Sequence, residues 1–472
     1  MNFNSLSKRR VLTAVFLVTS LVILLSLTGS LLLRKEKKEK PKSVSQIASL
    51  ATAYGSQRHV FGGSIRGTSQ QEQPLVFEKE RNVAGVQKIF GGSLVAIWLK
   101  DNQIHASFSN NYGQSWQELS SPLTTEKVEV VAGAQDQEGN LHLVYESEGK
   151  IFYRKISEIV SEGLIKPDGW TVSSSIALDI SGLAHRPSLI LDFFTNLPVV
   201  AWSSESMRAG ARFTRINFLR AKAEPTLLGN WCNAQGTSCG TPAYVLDSGS
   251  ADSLGAIAFH AVLHSALGQM PLSGDLYLWW SEASKVEPLK LAVAKREGNN
   301  WVWGNVSIED QLDAETFRNF SLAAAADLVK QQVLIVYAQA GGKTKVVAYK
   351  KDGSKEDLSP DQKLGGQFSL AAHEGKYYLF YRKDNGKVAG RLFDTSWSEE
   401  LFESPGEGGY PSVTADAIDG KIIIAYTTPE GAVGFLSYDL APVPTPTPTA
   451  SPSATLAPTA TPTGTESATP TP

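Results

Sequence analysis

Arg186, Arg318 and Tyr410 stand in three similar segments, AHRPSL, FRNFSL and GYPSV, each just ahead of a short apolar run. An arginine fork pairs a carboxylate through two parallel hydrogen bonds. Two arginines and a tyrosine around one opening therefore predict a pocket for an anionic sugar. His185 and Asn319 lie beside them, and Gln367 occupies the same place in a fourth segment, GQFSL. These six are the candidate ligand-binding residues. The competing reading is that such positions are polar because they line a wet channel.

Other chemistry finds little support. His260 and His264 in FHAVLH are four residues apart, but no HExxH and no cysteine accompanies them, so they read as a structural pair. No metal or cofactor is expected. A G-x-S-x-G, a P-loop and a G-x-G-x-x-G are all missing. Cys232 and Cys239 bracket CNAQGTSC. A disulfide closing so short a loop would add about 2–3 kcal/mol of stability, and it needs an oxidising compartment. Two reduced thiols are the alternative.

The elements that must position these residues repeat. Seven apolar runs end in an aromatic residue: Trp98, Tyr145, Trp202, Trp280, Tyr337, Tyr381 and Tyr426. Apolar runs with little alternation suit strands buried on both faces, here the second strand of each unit. A turn followed by Trp recurs at Trp116, Trp170, Trp231, Trp301 and Trp397 and opens an outer strand. The unit of Tyr337 has a polar KKDGSKEDLSP turn instead. The segments at 185, 318, 366 and 410 are then innermost strands. Such units have the size of propeller blades. The last unit is one strand short, so PLVFEKE (74–80) is predicted to pair beside 433–439 and close the ring.

SNNYGQSW resembles the Asp-box of sialidase-like BNR-repeat propellers, S-x-D-x-G-x-[ST]-W. Ser109, Gly113, Ser115 and Trp116 fit, and Asn111 replaces the Asp. The resemblance covers roughly 74–440. It implies an all-β, seven-bladed β-propeller, with six blades as the alternative, and a structural role for the box. Sialidases of this family use three arginines, a Tyr–Glu nucleophile and an Asp acid/base. Their first arginine lies in a Phe/Tyr-Arg-Ile-Pro motif that this chain lacks. The expectation leans away from an enzyme, with a divergent sialidase-like glycoside hydrolase as the alternative and no catalytic residue assigned.

The ends differ from the middle. The chain has 472 residues and a net charge of −3, which rules out a basic nucleic-acid binder. Residues 11–33 carry no charge. A helix of that length reaches roughly 34 Å, enough to span a bilayer. Basic residues flank both sides, so an uncleaved signal anchor is expected, with a cleaved signal peptide as the alternative. The basic C-terminal flank argues for that side inside, whereas the cysteine pair, the tail and the propeller argue for the body outside. The predicted organisation is 1–10 cytoplasmic, 11–33 anchor, 34–73 juxtamembrane linker, 74–440 propeller and 441–472 a disordered Pro/Thr-rich tail. The expected protein is a single-pass membrane protein with its propeller and tail outside. Its expected role is binding a surface carbohydrate or protein at the channel face. A structural subunit of a cell-envelope assembly is the remaining reading.

Overall fold

The computed structural model describes residues 75–439 except 82–88, 111–114, 137, 139, 158–159, 162–163, 166–168, 209–210, 242, 249–264, 282–287, 313–321, 417–420 and 429–432. The predicted anchor, linker and tail, and His260, His264, Arg318, Asn319, Asn111 and Gly113, lie outside the described residues. Among the described residues no helix is long and apolar enough to cross a membrane.

The chain forms an all-β propeller of antiparallel meanders. Six sheets have four or five strands, and one more has three. The first comprises Leu75–Arg81, Ile89–Lys100, Gln103–Ser109 and Gln117–Glu118. The second begins with Val130–Gln135, Leu141–Ser147 and Lys150–Ser157, and the third with Ala184–Leu191, Pro198–Arg208 and Ala211–Ala221. The fourth begins with Ser265–Gln269, Leu276–Ser281 and Pro288–Glu297. The fifth comprises Ala323–Asp327, Gln332–Ala338, Thr344–Lys350 and Lys355–Asp357. The sixth comprises Gly366–His373, Lys376–Arg382, Lys387–Phe393 and Phe402–Glu407. The last comprises Gly409–Asp416, Lys421–Thr427 and Val433–Asp439. In chain order, the first strand of each sheet packs beside the first strand of the next, and that of the last sheet packs beside Leu75–Arg81.

The apolar runs form second strands because both their faces are covered. Val95 and Ile97 pack into a cluster with Leu141, Leu143 and Tyr145 of the second sheet. Leu94 and Ala96 point the other way and meet Ala425 of the last sheet. Alternate residues of a strand face opposite sides, so a strand between two neighbours reads as an unbroken apolar run. Each of the seven run-ending aromatics lies in the second strand of a different sheet. Full burial of one such side chain contributes about 1.5–3 kcal/mol. The Trp of each recurring turn stands where the outer strand begins. Trp231 and Trp301 are buried there and donate their indole N–H to the carbonyls of Pro225 and Gly274, both at 2.8 Å. First strands are crowded and rich in small residues. A Cβ on Gly268 would lie 2.5 Å from Val333 Cγ1 of the next sheet.

One expectation is corrected. Segment 74–80 does not pair with 433–439. Leu75–Arg81 pairs with Ile89–Lys100, from Leu75 opposite Ile97 to Arg81 opposite Ile89, and supplies the first sheet with its inner strand. The first unit, starting at Ile89, needed that strand as much as the last unit needed one. A short connection makes local pairing cheap in loop entropy. The last sheet keeps three strands, and the ring closes by side-chain packing between it and the first sheet.

Candidate functional site

Three first strands open with the same irregularity. Pairing slips between His185 and Ser188, between Gly366 and Ser369, and between Gly409 and Ser412. These bulges hold Arg186, Gln367 and Tyr410 at equivalent positions. Arg186 (φ 53°) and Gln367 (φ 54°) take the left-handed conformation, which costs a non-glycine residue of order 1–3 kcal/mol and persists only when the surroundings impose it. A bulge of this kind re-aims side chains at a sheet margin.

The surroundings here come from the neighbouring sheet. Glu146 follows the run-ending Tyr145 of the second sheet. Its carboxylate accepts the Arg186 backbone N–H at 2.9 Å and pairs with His185 Nδ1 at 2.7 Å. Ser203 Oγ donates to the His185 carbonyl at 3.1 Å. The sixth and last sheets repeat the device with other residues. Arg382, which follows Tyr381, donates Nε–H to the Gly408 carbonyl at 2.9 Å, just ahead of the bulge at Gly409. Gln367 Oε1 sits where a Cβ on Gly409 would fall, 2.9 Å away.

Glu129 completes the group. Its backbone N–H donates to the Glu146 carbonyl at 2.9 Å. Burial pushes its carboxyl up, and the charge of Glu146 and the hydrogen bond between the two carboxyls push it the same way. Glu146 is buried, while the His185 side chain is 34% exposed. The cluster therefore offers a donor and acceptors at a point that solvent reaches. Arg186 is itself buried, at 4% exposure. The third sheet is not adjacent to the sixth or the last, so Arg186 lies away from Gln367 and Tyr410, which are in neighbouring sheets.

The acids at the other end of the first strands have structural tasks. Asp192 accepts Gln269 Nε2 and Thr195 Oγ1 at 2.7 Å and pairs with Arg296 at 2.8 Å. Asp327 accepts the N–H groups of Val329 and Lys330 and the Tyr377 hydroxyl, at 2.8, 3.0 and 2.8 Å. Each caps its own turn through its side chain. Glu374 is exposed on a turn beside His373. A Tyr–Glu contact does occur, with Tyr349 donating to Glu309 at 2.7 Å. Burial and that hydrogen bond push the Tyr349 phenol far up, so it stays protonated, the opposite of an activated nucleophile. Among the described residues no group of three or more His, Cys, Asp or Glu could hold a metal ion. Cys232 and Cys239 are joined in a disulfide.

Sequence reasoning found His185 and Arg186 but missed Glu129 and Glu146. The available signal was position: Glu146 directly follows a run-ending aromatic, as Arg382 does.

No family model matches the sequence, and no curated protein matches it. Solved structures do. A polysaccharide lyase, ulvan lyase bound to a GlcA(1-4)Rha3S saccharide, is 12% identical with a TM-score of 0.44, over 81% of this chain and 96% of that one. The Aleuria aurantia lectin in complex with alpha-methyl-L-fucoside is 10% identical with a TM-score of 0.39, over 72% and 96%. A prolyl endopeptidase is 10% identical with a TM-score of 0.43, over 83% of this chain, which spans about half (52%) of that one. At these identities none assigns an activity.

Proposed function

We propose that this protein is a ligand-binding propeller that takes a hydroxyl-rich carbohydrate where the bulged first strands begin. The observation that carries the reading is the Glu129–Glu146–His185 cluster. The partly exposed His185 ring and the Glu146 carboxylate together donate and accept, as sugar hydroxyls do. The cluster's negative charge and the burial of Arg186 favour a neutral sugar over an anionic one. His185 and Arg186 form the scaffold of the site in this reading.

In the same proposal each of the seven sheets is one blade, the three-stranded sheet included. The six-bladed alternative requires two of these sheets to belong to one blade. Ser109–Trp116 acts as an Asp-box-like turn between the third and fourth strands of the first blade. Residues 11–33 anchor the chain, and the propeller and tail lie outside the membrane. The Cys232–Cys239 bond supports that placement, because such bonds persist in oxidising compartments.

A glycan array probed with the purified full chain tests the function. Binding of neutral glycans that weakens at least about tenfold in Glu146→Gln is expected, since a hydrogen bond to a charged group is lost. An array without binding, or binding that Glu146→Gln leaves unchanged, would refute the reading.

A further inference from the structure

A second site lies away from the first strands, at the outer boundary of the fifth and sixth sheets. There a cleft of about 460 Å³ is lined by Glu356, Asp357, Asp361, Arg391, Thr395 and Trp397, among others. The fifth sheet has the polar turn in place of the recurring turn-Trp, and its outer strand, Lys355–Asp357, is short and exposed. Trp397 of the sixth sheet walls the cleft, donating its indole N–H back to the Leu358 carbonyl and packing on Phe393 with ring centroids 5.3 Å apart. Phe393 in turn stacks on Tyr377 at 5.6 Å, so the aromatic wall is held in place.

The polar wall is held as firmly. Arg391 donates to the Tyr381 hydroxyl at 3.2 Å, the Ser398 carbonyl at 3.4 Å and Gln362 Oε1 at 3.0 Å. Glu356 pairs with Lys350 at 2.8 Å and Asp357 with Lys345 at 2.5 Å. Two of the three carboxylates that line the cleft are thus already paired with lysines outside its lining, and Arg391 is the cation within it. Asp361 and Thr395 are exposed. Neither makes a hydrogen bond or ion pair within the described structure.

We infer that this cleft binds a neutral, hydroxyl-rich ligand the size of one sugar ring, with its apolar face on Trp397 and its hydroxyls on Asp361, Thr395 and the Gln362 amide. A preformed concavity with an aromatic wall and a few convergent polar groups is the usual form of such a site. With Glu356 and Asp357 already occupied by lysines, the cleft favours a neutral ring over a cationic peptide. The inference does not rest on the cluster at Glu146.

The test is calorimetric titration of the full chain, purified in a sugar-free detergent, with glucose, galactose, mannose, fucose and N-acetylglucosamine. At least one sugar is expected to bind. Asp361→Asn combined with Thr395→Val should weaken that sugar at least about tenfold, with the melting temperature unchanged because both residues are exposed. Trp397→Phe, which keeps a ring against Phe393, should weaken it as well. The titrations are made in the Glu146→Gln background, which disables the site proposed above, so that binding and its loss there report on this cleft alone. Absence of binding by all five sugars would overturn the inference. So would binding that survives the double variant, or a lysine-rich peptide binding the cleft where the sugars do not.

Discussion

Arg296→Met is the most informative single perturbation of the fold. Arg296 and Asp192 join the fourth sheet to the third, at 2.8 Å, with side chains 8% and 2% exposed. The arginine also lies over the rings of Phe194 and Trp301, 4.4 and 5.0 Å from their centroids. Methionine keeps much of that apolar contact and removes the charge. Asp192 is then left buried without its ion pair, which typically costs about 3–5 kcal/mol. Asp192 retains Gln269 and Thr195 as donors at 2.7 Å. Arg220 also remains close enough to feel the Asp192 charge. The loss should therefore fall near the lower end, about 3 kcal/mol, which for a folded region of this size is a drop of about 4 °C in melting temperature. Asp192→Asn keeps an acceptor for the turn and no longer demands a cation. The double variant should recover about half of the loss. Differential scanning calorimetry at neutral pH reads both numbers. A drop below about 1 °C for Arg296→Met, or a double variant as damaged as the sum of the singles, would show that the pair does not lock these two sheets.

Glu129 gives a pH prediction with a definite sign. Its folded-state carboxyl titrates above the usual 4.5, so the folded chain holds a proton there that the unfolded chain has released. Its contribution is present at low pH and lost as pH rises from about that value through the raised one. Glu129→Gln should thus gain stability on the parent protein as pH rises through that window, by urea titration at a series of pH values; a constant difference would mean that folding does not raise the Glu129 carboxyl. Cys232 and Cys239 should resist alkylation in protein recovered from cells, by mass spectrometry without reductant, and reduction should cost about 2–3 kcal/mol; two alkylated thiols would count against both the bond and the extracytoplasmic placement. Deleting 75–81 should lower the melting temperature sharply and promote aggregation, because it bares the Ile89–Lys100 edge and the seam to the last sheet. An unchanged melting curve would mean that this strand does not complete the ring.

The repeat was legible in the chain because burial on both faces leaves a mark. A strand between two sheets cannot alternate, so Val95 and Leu94 are both apolar though they face different neighbours. The turn-Trp was legible because each one meets the same local need at the start of an outer strand. The acid pair was not. Glu146 reaches His185 and Arg186 across a sheet boundary, 39 and 40 residues along the chain, and no spacing rule connects them. The Arg296–Asp192 lock spans 104 residues in the same way. Strand count alone left the partner of 74–80 open, since two units each lacked a strand; a short connection to Ile89 decided it. The boundary cleft likewise exists only where Trp397 of the sixth sheet meets the short outer strand of the fifth. Periodicity records what every blade must bury, whereas a site depends on which side chains of two blades meet, and that is settled only when the ring closes.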